Sequence, residues 1–387
     1  MKKIIKLENL IYFSILALPS YLWKVSFFGL PSNLLEVLIG VCLVWWLLLR
    51  AKKNSWLDFF GKYKAFFLPV GLIFLGFILS MCINKSYVVS AGSIKAWFVL
   101  PILFSFVAIS AIKKERRAAL FGAYYASASF VAIISLAYFI SGRLTYDGRL
   151  AGIFNSPNYL AMYLAPAIFV GYFLLFPETK IKRWQKGILF LLSLLIFAVY
   201  LTYSYATWLA LAVAFALVFV IEKKAIFRKA FAVFLIIGTL IFLQLGKDKF
   251  SNLISFDARS SLTSREMIWR SAEKMIREDW LWGIGVGNFQ TKYLEYQKYF
   301  SPYLEWAVPH PHNLYLAFWL YAGLIGLVSF FWLIILWFRA IFAQQKNPNL
   351  KLMGLGIMLY ILLHGLFDTT YFKNDLAVIF WLLFTLL

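Results

Sequence analysis

Long apolar runs, each closed by a short polar stretch, recur along nearly the whole sequence. A helix needs about 20 apolar residues to cross a hydrocarbon core about 30 Å thick. The runs predict spans near 9–29, 33–50, 65–83, 95–112, 118–141, 157–176, 188–203, 205–221, 229–246, 313–338, 352–371 and 375–387. The expected fold is therefore an all-α polytopic membrane protein with about twelve transmembrane helices, or about ten or eleven because the seventh, eighth and last runs are short.

One segment breaks this rhythm. Residues 247–311 form the longest connection and carry both signs of charge, with Asp257, Arg259, Arg265, Glu266, Arg270, Glu273 and Arg277 among them. Connections of this length are usually functional or disordered, and the aromatic content here argues for order. Thr263 and Glu266 have the spacing of a capping box. Ile268, Trp269, Ala272, Met275 and Ile276 follow at helical spacing, predicting an amphipathic helix suited to the membrane surface. Asn288 is placed to cap a second helix, with Phe289, Tyr293, Tyr296 and Phe300 as its aromatic stripe. The chain divides into an N-terminal bundle (1–246), a large loop (247–311) and C-terminal spans (312–387), read as one integrated domain.

Composition narrows the class. Soluble domains are about a quarter charged, whereas this chain is 14% charged and 63% hydrophobic. A net charge of +21 would suit nucleic acid, but the cations sit in short clusters between the apolar runs. Lys2, Lys3 and Lys6 form one cluster, Lys113, Lys114, Arg116 and Arg117 another, and Lys180, Lys182, Arg183 and Lys186 a third. They alternate with connections such as 31–33 and 84–93 that carry few or none. This is the positive-inside pattern, which sets topology and not a nucleic-acid partner. It places the N-terminus in the cytoplasm and the 247–311 loop outside the cytoplasmic (inner) membrane. Cys42 and Cys82 lie inside apolar runs and imply no disulfide framework. The basic start MKKIIK is followed by no small-residue cleavage site, so the first run reads as an uncleaved span.

The candidate chemistry gathers at the outer ends of the spans. Gly283, Gly285 and Gly287 in WGIGVGNF lack the strand and helix spacing of a nucleotide fingerprint and read as a tight turn between two surface helices. Arg265 falls in the first turn of its predicted helix, where free N–H groups and the dipole favour an anion. A guanidinium there suits a phosphate or diphosphate, although position alone also fits a solvated surface arginine. Arg149, in DGRLAGIFNSPNYLAMYLAP, precedes a span that Pro157 would open, with Asn155 and Asn158 on either side. A lone arginine at an interface can simply snorkel to lipid phosphate; a second one sharing its ligand changes that reading.

VPHPHNLYLAFWLYAGLIG holds His310 and His312, two of the three histidines in the chain. Near neutral pH an imidazole can take the proton of an attacking hydroxyl; the alternative is an interfacial pair at a proline-rich turn. His364 and Asp368 share a helical face, consistent with function or with a structural hydrogen bond. Glu36 has a similar outer position. No Asp-x-Asp pair lies in the outer loops, Glu278 and Asp279 face different ways, and the histidines lack zinc-site spacing, so metal-free chemistry is expected.

The pieces RLAGIFNSPNYLA, SREMIWRSAEKMIREDWLWGIGVGNF and HPHNLYLAFWLYAGLIGL occur in the order seen in the O-antigen ligase and O-antigen polymerase family of membrane glycosyltransferases, which the chain resembles over residues 149–326. The resemblance implies a polyprenyl-diphosphate donor such as an undecaprenyl-diphosphate-linked glycan. It implies transfer to a hydroxyl of a glycan, lipid or protein acceptor, with no cofactor and no metal. By position in the motifs, Arg149 and Arg265 would bind the donor diphosphate and His312 would activate the acceptor. Asn158 and Asn313 would be further binding positions, with His310 and Asp368 in support. Two departures stand out: Tyr205 follows Ser204 where the family often has arginine, and Trp280-Leu281-Trp282-Gly283 lacks the usual proline. They bear on substrate identity more than on reaction type. A polysaccharide flippase or other transporter would also have about a dozen spans, but paired repeats and charge at mid-membrane would be expected of it. A structural scaffold of the envelope is a third reading.

Overall fold

The structure, a computed structural model, describes residues 6–27, 30–50, 55–175, 183–222, 261–300, 308–344 and 347–387. The expected span at 229–246, the loop residues Asp257 and Arg259, and Lys2, Lys3, Lys180 and Lys182 lie outside the described residues. The helices are α1 (Leu7–Leu16), α2 (Leu34–Arg50), α3 (Ser55–Ile83), α4 (Tyr87–Ile94), α5 (Leu100–Ala111), α6 (Ala118–Ile140), α7 (Pro157–Leu175), α8 (Arg183–Leu201), α9 (Tyr205–Glu222), α10 (Ser261–Glu278), α11 (Phe289–Tyr296), α12 (Leu314–Ala343), α13 (Pro348–His364) and α14 (Asn374–Leu382).

Among the described residues, six helical stretches are long and apolar enough to cross a membrane: Gly61–Ile83, Tyr87–Ala111, Lys114–Ile140, Pro157–Leu175, Tyr205–Glu222 and Leu314–Ala343. Shorter apolar helices occupy the other described runs. The run at 95–112 begins earlier than expected, because α4 continues through a π-helical turn, Lys95–Val99, into α5. The run at 352–371 stops being helical at His364.

The expected span at 9–29 is not one helix. Pro19 enters a 3₁₀ turn over Leu18–Leu22, where a fixed φ and a missing N–H end α1. The chain then forms a two-stranded antiparallel hairpin, Lys24–Phe27 with Leu30–Asn33, in which Lys24 faces Asn33 and Phe27 faces Leu30.

Helix α7 lies at the centre, packed by α6, α8 and α13, and is the most enclosed of the long apolar helices. Helices around it present large apolar side chains outward, Leu48 on α2, Phe130 on α6, Phe190 on α8 and Ile335 on α12 among them, as lipid contact requires. Helix α10 differs from expectation in its partner. Met267, Ile268, Ala272, Met275 and Ile276 are buried, and α10 packs on α11 and α12, so its apolar face meets protein instead of lipid.

Helix α12, which packs most extensively on α3, is broken at Gly323 (φ 66°, ψ −172°). The turn after α10 occupies the break: Leu324 N donates to Leu281 O at 3.2 Å and Ile284 N donates to Leu320 O at 2.6 Å. A Cβ at Gly323 would lie 2.1 Å from Leu281 O, and one at Gly283 (φ 71°) would lie 2.4 Å from Leu320 O. Gly323→Ala therefore meets both a backbone region essentially reserved for glycine, costing about 1–3 kcal/mol, and a main-chain collision. The expected outcome is a lowered Tm with the 280–287 turn displaced, read by thermal unfolding and by faster hydrogen exchange at Ile284 and Leu324.

Candidate active site

Five segments converge where α7 and α12 begin. Pro157 opens α7, which puts Asn158 in its first turn. Asn313 caps α12, its Oδ1 accepting from Tyr315 N at 2.9 Å and Leu316 N at 3.0 Å. The loop before α7 supplies Arg149, α10 supplies Arg265, and the connection from α13 to α14 supplies Asp368.

Arg149 is held from three sides. Its Nε donates to Thr202 O at 2.7 Å, its Nη2 donates to Asn158 Oδ1 at 2.7 Å, and Asp147 lies 3.7 Å from Nη1. Burial pulls its pKa below the usual arginine value, with Arg265 adding to the effect and Asp147 opposing it; a guanidinium stays protonated regardless. Arg265 donates from Nε to Phe367 O at 2.8 Å, with Nη2 3.8 Å from Asp368. Because α10 is already under way at Ser261, Arg265 lies in the second turn and reaches sideways to the 365–373 connection. The capping-box reading fails for the same reason: Thr263 lies within the helix, and Glu266 pairs with Arg270 at 2.6 Å. Both arginines line one cleft of about 180 Å³, together with Asn158, Tyr203, Ser204, Tyr205 and Phe367. The Ser204-Tyr205 departure from the family pattern thus lies in the wall of this cleft.

Asp368 is the hub. Only 1% exposed, it accepts at Oδ1 from His312 Nδ1 (3.0 Å) and Thr369 N (2.9 Å), and at Oδ2 from Asn158 Nδ2 (3.2 Å). Burial alone would raise its carboxyl pKa; His312 and Arg265 outweigh that and hold it below the usual carboxylate range. A carboxyl depressed on folding adds stability that is fully present above its unfolded pKa of about 3.9 and is lost as pH falls below it. Asp368→Asn is expected to flatten the acid limb of a Tm-against-pH curve below about pH 4, a window set by the unfolded value. An unchanged limb would mean that Asp368 is not ionised in the fold.

His312 has φ of 45°, unusual for a residue other than glycine. Pro311 and the Asn313 cap bracket it, and Trp269 Nε1 donates to its carbonyl at 3.3 Å. With Nδ1 committed to Asp368, Nε2 is the ring nitrogen that can accept a proton. His310 is not brought to the cleft. Its Nδ1 pairs with Tyr321 OH at 3.1 Å, its ring packs edge-on against Trp97, and burial pulls its imidazole down to about 4. Asn313 is engaged at both ends of its amide, since Nδ2 donates to Leu366 O at 3.0 Å.

His364 and Asp368 do not bond through their side chains. His364 lies between Tyr360 OH (2.8 Å) and Thr207 Oγ1 (3.5 Å), and Asp368 turns the other way. Glu36 belongs to a separate cluster with Ser32, Asn33, Lys95 and Asn374 that ties the hairpin to α14. Lys373 was not singled out by the sequence. Its ammonium stands 3.4 Å from the centre of the Tyr159 ring and donates to Tyr21 OH at 2.8 Å. Burial pulls it down to about 8, with Asp375 and Asp368 opposing. The available signal was its isolation, a lone cation between two apolar runs far from the basic clusters. Among the described residues, no three His, Cys, Asp or Glu side chains are grouped closely enough to hold a metal ion.

This arrangement places two fixed guanidiniums on one cleft and joins them, through Asn158 and a buried carboxylate, to an oriented imidazole. It can bind a multiply charged anion and take a proton beside it. Residues 189–331 match the O-antigen ligase family. The matched stretch runs from α8 into α12 and includes Arg265 and His312. No curated protein matches the chain. Over residues 189–331, about a third of the chain, this multi-pass helical protein carries the domain of the O-antigen ligase family.

Proposed function

We propose that the protein is a membrane glycosyltransferase that moves a glycan from a polyprenyl-diphosphate carrier, of the undecaprenyl type, to a hydroxyl acceptor. The reaction takes place on the outer face of the cytoplasmic membrane. The acceptor oxygen attacks the anomeric carbon, the bond from that carbon to the diphosphate oxygen breaks, and the acceptor proton passes to His312 Nε2. Arg149 and Arg265 stabilise the charge on the departing diphosphate. Asp368 orients the imidazole and stabilises the imidazolium, as carboxylates do for histidine bases elsewhere. Asn158 couples the arginine and histidine halves, and Asn313 holds the turn that carries His312. Diphosphate is a good leaving group, so charge stabilisation and one base meet the chemical need without metal or cofactor.

The observation that carries this reading is the continuous path Arg149–Asn158–Asp368–His312, whose first two residues line the cleft that Arg265 also lines and whose last two lie behind that lining. Purified protein in lipid, given a polyprenyl-diphosphate-linked glycan with a chelator present, is expected to transfer it. Arg149→Ala and Arg265→Ala should abolish transfer while leaving membrane insertion intact. Full activity in both variants would place the site elsewhere. No transfer by well-folded wild type across glycan, lipid and protein acceptors would favour transport instead. Defined lipid acceptors compared with glycan acceptors separate a ligase from a polymerase.

A further inference from the structure

The turn Trp280-Leu281-Trp282-Gly283 belongs to the large connection, yet it docks well below the start of α12. Its depth follows from two helices independently. A Cβ at Gly76 would lie 2.4 Å from Ala322 O, so α3 and α12 touch at that level. Helix α3 continues from Gly76 to its end at Ile83, about 10 Å further at 1.5 Å per residue. In the other direction, exposed Arg339 lies 16 positions beyond Gly323, about 24 Å along the helix. Arginine marks a polar boundary, and a hydrocarbon core about 30 Å thick then places Gly323 roughly 6 Å inside the opposite boundary. Either route puts the break, and the turn filling it, within the apolar layer.

Irregular backbone at that depth must have its polar groups paired by protein. Here they are. Besides the two main-chain bonds at the break, Asn84 Nδ2 donates to Gly283 O at 2.9 Å, Ser90 Oγ donates to Val286 O at 2.9 Å, and Trp280 O accepts from Trp319 Nε1 at 2.7 Å. The side chains point to the remaining partner. Trp280 is 51% exposed, Trp282 38% and Leu281 37%, a contiguous apolar surface that water would not favour.

We propose that 280–283 is a re-entrant turn, with Trp280, Leu281 and Trp282 forming a contact surface for phospholipid acyl chains. The proposal rests on depth and backbone pairing and is independent of the transfer chemistry.

Wild-type protein in phosphatidylcholine vesicles, with a diazirine in the lipid acyl chain, tests it without substitution. Photolysis should leave adducts on 280–282 and on the exposed α12 face around Val328 and Ile335, and none on Arg277. Adducts around Val328 with none on 280–282 would overturn the proposal. A second reading uses nanodiscs and a Cys82→Ala background, in which Cys42 is buried. Trp282→Cys should react with a membrane-impermeant maleimide at least about 10-fold more slowly than Arg277→Cys, because an apolar site suppresses the thiolate and excludes the reagent. Equal rates would place the turn in water.

Discussion

His312→Ala is expected to lower glycan transfer by about 10²–10⁴-fold, the usual contribution of a positioned general base, in a protein that still inserts and runs as a single species. The range follows from the proposed division of labour. The two arginines act on the leaving diphosphate and remain in the variant, so only proton removal from the acceptor is lost. His312 also occupies a left-handed backbone position, so alanine could disturb the turn as well as the chemistry. Asparagine adopts that conformation more readily than most residues, and His312→Asn separates the two effects. It should fold as wild type does and still lose transfer to a similar extent. Wild-type turnover in His312→Asn with a chelator present would remove the base from the mechanism.

Asp368→Ala has the largest expected effect on stability. Removing one partner of a buried charged network leaves the others uncompensated, at a cost of about 3–5 kcal/mol. Here the groups left behind are the Arg265 guanidinium, the Asn158 amide and His312 Nδ1. The measurement is the thermal or denaturant midpoint in a fixed detergent, beside the exposed control Glu266→Ala, which should move it little. Asp368→Asn keeps the volume and an acceptor for Nδ1–H, so it should recover much of the stability. It lacks the charge that stabilises an imidazolium, so transfer should stay low. Equal Tm values for wild type and Asp368→Ala would mean that the carboxylate is not the hub described above.

The apolar runs were legible because a membrane span is a local property: about 20 apolar residues suffice, whatever they pack against. The hairpin at 24–33 was not, since its residues are apolar enough to extend a span and only Pro19 hinted at a stop. Amphipathicity revealed α10 but not what it faces, because the same stripe serves lipid and protein equally. The glycine turn was recognised as a turn; its docking into a broken α12 depends on a partner some 40 residues away.

Much the same holds for the candidate site. Sequence by itself determined the membrane class, the helical character and the residue types able to hold a diphosphate and move a proton, because these follow from composition, periodicity and motif order. Only the tertiary structure decided that Arg149 and Arg265 share a cleft, that Asp368 turns from His364 to His312, and that His310 packs against Trp97 and Tyr321. Those outcomes depend on which buried polar groups find partners across helices distant in the chain, and burial makes such pairing obligatory without naming the partner.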